Sequence, residues 1–104
     1  MKGFGNVMKE AHRLQQQMAA MQEEIGKKRV EATAGGGMVT VEANGKQEIV
    51  SIKIDPEVVN RDEVQMLEDL MLAACNEALR KSRELVQQEF GKLTGGLKIP
   101  GLGM

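Results

Sequence analysis

A regular stripe of apolar residues near the start of the chain constrains the fold more than any other feature. Its members alternate at intervals of three and four positions, and they are Phe4, Val7, Ala11, Leu14, Met18, Met21 and Ile25. This spacing predicts one amphipathic helix over residues 4–25 with these side chains on one side. The stripe must pack against something long and apolar, which is either the core of its own chain or a helix of a second copy.

Three short β-strands are predicted after this helix. The segments 29–34, 38–43 and 46–54 contain alternating apolar residues, and the turns between them are Gly35-Gly36-Gly37 and Asn44-Gly45. Glycine accepts the positive φ values that tight turns require, and Asn-Gly is the strongest short hairpin signal. We therefore expect a three-stranded antiparallel meander with one apolar face.

A second, longer helix is predicted to follow the sheet. Asp55 and Pro56 end the last strand and favour a short turn over residues 56–59. Asn60 and Glu63 have the spacing of a capping box, and the helix should run from there to about residue 90. The first half of this helix is broadly apolar and should cover the sheet. Residues 1–90 then form one α+β domain, and the Gly-rich segment 91–104 is predicted to be a flexible tail.

The lengths of these elements predict an extended shape. The helices should measure roughly 33 Å and 45 Å, whereas strands of this length span only about 20–30 Å. Both helices should therefore overhang the sheet, with residues near 4 and near 90 on the same side of the molecule. The predicted fold is α+β in the order α-β-β-β-α, and it leaves apolar surface that a symmetric homodimer would bury.

Residues suited to catalysis or metal binding are scarce. The chain has one His and one Cys, which cannot build an ordinary zinc site. The glycine segments lack the residues that complete a phosphate loop or a dinucleotide fingerprint. No apolar run approaches the ~20 residues of a membrane span. We expect a cytosolic protein that is not an enzyme and has no cofactor, metal or small-molecule substrate.

Charge is unevenly distributed, although the net charge is only −1. Residues 1–30 carry six basic and three acidic side chains, whereas residues 31–90 carry six basic and twelve acidic ones. Basic side chains on projecting helices suit the phosphates of a nucleic acid. The candidate phosphate-binding residues are Lys2, Lys9, Arg13, Arg80, Lys81 and Arg83. The absence of Tyr and Trp disfavours base stacking, so duplex DNA is the better candidate ligand.

Seven segments stand in a recognisable order along the chain: residues 8–11, 18–24, 36–39 with Val41, 44–46, 52–56, 67–70 and 73–78. In this order they resemble the YbaB/EbfC family of bacterial nucleoid-associated proteins over nearly the whole chain. It implies a homodimer whose paired helices project like the arms of tweezers, with DNA contact on the projecting ends. It also implies that DNA conformation is altered, with roles in nucleoid organisation and gene expression. The positions that match those ends are the six candidate residues named above.

Two other interpretations remain open from the residues alone. The Met-rich stripe, which includes Val7, Leu14, Met18 and Met21, could hold an apolar partner in a protein-interaction module or a holdase-like chaperone. The basic helix faces could also be ordinary solvated surface, in which case the protein would be a scaffold that only dimerises.

Overall fold

The computed structural model describes residues 2–93, except for the side chains of Lys2 and Leu93. The first helix, α1, covers Lys2–Lys27, and the second, α2, covers Val64–Leu93. Between them lie β1 (Arg29–Ala34), β2 (Val39–Asn44) and β3 (Ile49–Ile54). The predicted α-β-β-β-α order is therefore confirmed. Residues 94–104, which make up most of the predicted flexible tail, lie outside the described part of the chain.

The sheet is an antiparallel meander in the order β1-β2-β3. Ala32 on β1 lies opposite Val41 on β2, and Val39 on β2 lies opposite Ile54 on β3. Alternate residues of β2 are buried beneath α2, as expected for a sheet with one covered face. The buried core is small, and its members are Ala32, Val39, Val41, Ala43, Ala74 and Ala78.

The two hairpin turns are built differently. Gly35, Gly36 and Gly37 all have positive φ, so the first turn uses glycine as predicted. The predicted two-residue Asn44-Gly45 hairpin is wrong. The side-chain oxygen of Asn44 accepts hydrogen bonds from the backbone N–H groups of Lys46 and Glu48, which stabilises a longer loop. Consequently β3 begins at residue 49 rather than at 46.

The start of α2 follows the predicted capping. The Asn60 side chain accepts a hydrogen bond from the Asp62 N–H at 2.9 Å, and a 3₁₀ turn over Arg61–Glu63 leads into the helix. The backbone N–H of Asn60 donates to the Val58 carbonyl and that of Glu63 to the Asn60 carbonyl, so Asn60 caps this turn but the predicted capping box with Glu63 is not formed. The helix continues to Leu93, three residues beyond the predicted end.

Helix α1 extends away from the rest of the molecule. All residues from 3 to 20 are exposed, whereas Ile25 near the C-terminal end is buried. The radius of gyration is 20.1 Å and the longest dimension is 73 Å. A compact chain of this length would have a radius of gyration of about 13 Å. The apolar stripe is therefore not part of the core of its own chain, which removes that alternative for all but its last residues.

A second apolar surface lies on β3. Ile52 and Ile54 lie opposite buried residues of β2, so their side chains project from the face of the sheet that α2 covers. They are nevertheless about 40% exposed, at 43% and 37%, because α2 lies mainly over β1 and β2. The apolar surface of β3 and the apolar stripe of α1 are thus both uncovered in the single chain.

Candidate nucleic-acid interface

The cationic residues of α1 share one side of the helix. At about 100° of rotation per residue, positions 2, 9, 13 and 27 fall within about 40° of one another. These positions are Lys2, Lys9, Arg13 and Lys27, and they lie on the side opposite the apolar stripe. We call Lys2, Lys9 and Arg13 the arm cluster. An apolar contact made by the stripe would therefore leave the arm cluster facing solvent.

The side chain of Arg13 is available to a ligand. Its guanidinium lies 3.9 Å from the Glu10 carboxylate, but the Arg13 side chain is 68% exposed. An exposed pair at this distance contributes little and exchanges readily. His12 lies close by and its ring contacts the Gln16 amide at 3.3 Å. The outer part of α1 thus carries a cation, Arg13, that is weakly held by its own chain.

The cations of α2 have a different setting. Arg80 is hydrogen-bonded to the carboxylates of both Glu77 and Glu84. The hydrogen bond from Arg80 holds the pKa of Glu77 below its ordinary value, and the two carboxylates raise the pKa of Arg80. Lys81 donates to the Glu31 carbonyl of β1 at 2.8 Å. Two of the three predicted α2 residues are therefore engaged within the chain.

The expectation that residues 80–83 lie in an overhanging half of α2 is wrong. Ser82 is fully buried, and its hydroxyl donates to the Asn44 carbonyl at 2.6 Å. Ala74, Ala78 and Ser82 are spaced four residues apart, so small side chains face the sheet along one line of the helix. This allows α2 to stay close to the sheet as far as residue 82. Arg83 is exposed on the next position.

The two helices project in the same direction but not to the same distance. Val86 and Phe90 of α2 line an open cleft of about 570 Å³ together with Ala19 and Ile25 of α1. The end of α2 therefore lies beside the last two turns of α1. Residues 2–18 of α1 extend further, by roughly 20 Å beyond the end of α2. The prediction that both helices project on the same side of the molecule is confirmed, but α1 alone forms the outer part of the projection.

An ion pair joins the α1–β1 link to α2 near the sheet. The ammonium group of Lys28 lies 2.7 Å from the Glu89 Oε1 atom, and that of Lys92 lies 3.5 Å from the same oxygen. The hydrogen bond from Lys28 holds the pKa of Glu89 below its ordinary value. This group was not predicted from the sequence because Lys28 and Glu89 are 61 positions apart. The only local signal was the run of cations at residues 27–29.

Neither a metal site nor a membrane helix is present in the described part of the chain. Residues 2–93 contain no group of three or more His, Cys, Asp or Glu side chains placed to hold a metal ion. Over the same residues, no helix has the length and hydrophobicity needed to cross a membrane. Cys75 is half-buried at the edge of the core.

Comparison with known proteins identifies relatives over almost the full length. A nucleoid-associated protein of Desulforamulus reducens is 60% identical over 99 residues, covering 95% of this chain and 94% of the relative. One from Thermoanaerobacter pseudethanolicus is 56% identical over 99 residues, covering 95% and 89%. Among solved structures, the uncharacterized protein HP0035 of Helicobacter pylori has a TM-score of 0.65 at 19% identity, covering 80% of this chain and 96% of that one. The last similarity supports the fold.

The family model matches residues 1–97 and describes the YbaB/EbfC DNA-binding family. The resemblance found in the sequence is therefore confirmed, as is the interpretation that the chain is not an enzyme, because the family is one of DNA-binding proteins. The chain belongs to the YbaB/EbfC DNA-binding family.

Proposed function

We propose that this chain is a nucleoid-associated protein of the bacterial cytoplasm that binds double-stranded DNA as a homodimer. Binding is mainly through phosphates, alters the conformation of the DNA, and serves nucleoid organisation and gene expression. The names of its relatives support the association with the nucleoid. The observation that carries the proposal is the two-sided character of α1, which has cations on one side and an uncovered apolar stripe on the other.

The apolar side of α1 supports a homodimer. Phe4, Val7 and Leu14 are exposed to 69%, 64% and 56%, and Met18 to 47%. An isolated helix of about 17 residues with no tertiary contacts is marginal in water, so α1 needs a partner surface to remain helical. The stripe and the uncovered edge of β3 are present in every copy of the chain, and a symmetric dimer can bury both. Within the stripe, Val7, Leu14, Met18 and Met21 are the proposed interface residues.

The cationic side of α1 supports phosphate contact. Lys9 and Arg13 lie on the outer part of α1, beyond the end of α2, and both are exposed. Each phosphate that such a residue neutralises releases a counterion, which gives affinity without sequence preference. Lys2 and Arg83 are further candidates by position. Arg80 and Lys81 remain in the proposed set, although their bonds within the chain weaken the case for them.

The opposing interpretation is a holdase-like module that binds apolar clients. The exposed Met8 and Met18 together with Phe4 are the surface it would use. Membership of a DNA-binding family favours the nucleic-acid interpretation. Both interpretations use α1, but they assign the working surface to opposite sides of the helix.

A mobility-shift titration combined with sedimentation tests the proposal. Full-length protein is titrated against one duplex and one single strand of equal length, at several salt concentrations, and its oligomeric state is measured at micromolar concentration. We expect a dimer that retards the duplex at low salt and releases it as salt rises. A clean monomer would contradict the dimer, and failure to retain duplex at low salt would contradict DNA binding. Suppression of client aggregation without DNA retention would favour the holdase.

A further inference from the structure

The group of charges where α1 joins β1 forms a candidate ligand site separate from the arm cluster. Lys28, in the link after α1, and Lys92, on α2, both lie beside the carboxylate of Glu89 on α2, and Lys27 immediately precedes Lys28 in the chain. We call these four residues the junction cluster. The approach of Lys28 to Glu89 and Lys92 is a product of the fold and is not visible in the sequence.

The geometry of the junction cluster places its carboxylate inside and its cations outside. Glu89 Oε1 accepts from Lys28 Nζ at 2.7 Å and lies 3.5 Å from Lys92 Nζ. The Glu89 side chain is only 17% exposed, whereas those of Lys28 and Lys92 are 48% and 75% exposed. A molecule that approaches from solvent therefore meets ammonium groups first.

The charge balance of the cluster favours an anionic ligand. Two ammonium groups share one carboxylate oxygen, so one positive charge is left over even before Lys27 is counted. An ammonium group is a compact point charge with three donors, and Lys28 and Lys92 retain donors that Glu89 does not occupy. A phosphodiester oxygen can bind at the outer side of this pair while Glu89 stays in place.

One residue of the junction cluster, Lys27, belongs to the same helix as the arm cluster. Lys27 lies on the same side of α1 as Lys9 and Arg13, 14 positions after Arg13. This corresponds to about 21 Å along the helix axis. A duplex carries one phosphate charge per ~1.7 Å of axis, so one DNA molecule lying along this side of α1 presents phosphates to the arm cluster and to Lys27, next to Lys28.

We propose that Lys27, Lys28 and Lys92 form a second phosphate-contact site, at the base of the projecting helices. This proposal rests on the proposed binding of duplex DNA. The ligand is the phosphodiester backbone, and the site extends the contact from the outer end of α1 to the body of the protein. It also assigns phosphate contact to the C-terminal end of α2 at Lys92, beyond the predicted residues 80–83.

The test is the salt dependence of duplex binding, measured by fluorescence anisotropy with full-length protein and one labelled duplex. The variant Lys28→Gln/Lys92→Gln removes two cations of the junction cluster. The matched control Lys53→Gln/Arg61→Gln removes two exposed cations from the opposite end of the sheet. Each lost phosphate contact should reduce the slope of log affinity against log salt by about 0.9. We therefore expect the junction variant to lose about 1–2 units of slope and the control to keep the wild-type slope.

A third variant separates phosphate contact from a structural effect of the ion pair. Glu89→Gln breaks the ion pair but keeps all three lysines and removes one negative charge. We expect it to bind the duplex at least as tightly as wild type, with an undiminished slope. Equal losses in Glu89→Gln and in the junction variant would show a structural role and overturn the site. An unchanged slope in the junction variant would also overturn it, whereas no duplex binding by wild type would overturn the proposed function itself.

Discussion

Gly45 lies directly against the end of α1, at Ile25. A Cβ atom at position 45 would overlap the carbonyl group of Ile25. The Gly45 N–H donates to the Lys28 carbonyl at 3.1 Å, so the backbone of the β2–β3 loop contacts both sides of the α1–β1 link. This close approach fixes the direction in which α1 leaves the sheet. Gly45 is needed because a side chain would not fit, and not because of its backbone conformation. The residue of this loop with a positive φ is Gln47.

Substitution of this glycine should destabilise the protein. Gly45→Ala forces its methyl group into backbone atoms that cannot move independently, and overpacking of this kind costs about 1–3 kcal/mol. Urea unfolding followed by circular dichroism measures the change. Gly91→Ala is the matched control, because nothing lies within 4 Å of its Cβ position on α2. It should stabilise the helix by up to about 1 kcal/mol. Equal stability of the two variants would contradict the proposed role of Gly45.

Local patterns in the sequence predicted most of the fold. The stripe on α1, the alternation in β2 and the Asn60 cap act over a few residues, and each led to an element that the structure contains. The Asn44-Gly45 turn was misread because the asparagine side chain bonds the loop while the glycine serves packing. A dipeptide pattern cannot distinguish a glycine needed for a turn from one needed for close contact.

The candidate site was less predictable because it depends on contacts between distant residues. Lys81 was predicted to project towards a ligand, yet the approach of Ser82 to Asn44 brings it beside β1, where it donates to the Glu31 carbonyl. The pairing of Lys28 with Glu89 follows from the position of α2 relative to the α1–β1 link. The arm cluster was predictable because it lies on one side of a single helix.

Polar substitution on the stripe should separate the proposed dimer. Val7→Asp/Leu14→Asp places two carboxylates at the proposed interface. Sedimentation at micromolar concentration should detect monomer, and circular dichroism should show reduced helix content. Gln16→Asp/Ala20→Asp adds the same charge to the opposite, exposed side of α1 and should remain dimeric. A dimer that survives in the stripe variant would place the interface elsewhere.

Arg80 should contribute less to DNA binding than Arg13. The guanidinium of Arg80 is held between Glu77 and Glu84, and these three residues together carry a net negative charge. Arg80→Gln should reduce the salt slope of duplex binding by less than Arg13→Gln, which should reduce it by about 0.9. Anisotropy titrations over a salt series compare the two single variants directly. A slope loss from Arg80→Gln as large as that from Arg13→Gln would contradict this order.

The Lys28–Glu89 pair should make stability dependent on acid pH. Lys28 lowers the pKa of Glu89 in the folded state from its ordinary value of 4.5. The stabilisation is therefore fully present above pH 4.5 and is lost as the pH falls through the lowered value. Wild type should be more stable than Glu89→Gln at about pH 7, and the difference should shrink below pH 4.5. Urea unfolding across this range measures it, and a difference independent of pH would exclude the ion pair as its source.

Charge reversal on the outer part of α1 tests whether this helix contacts the phosphates of DNA. Lys9→Glu/Arg13→Glu replaces two exposed cations of the arm cluster, and a salt series with one labelled duplex measures affinity and slope for this variant and wild type. We expect salt-sensitive binding by wild type. The variant should stay dimeric, lose affinity at least tenfold at low salt, and show a slope reduced by about two phosphate contacts. Binding by the variant with wild-type affinity and slope would show that the arm cluster does not contact DNA.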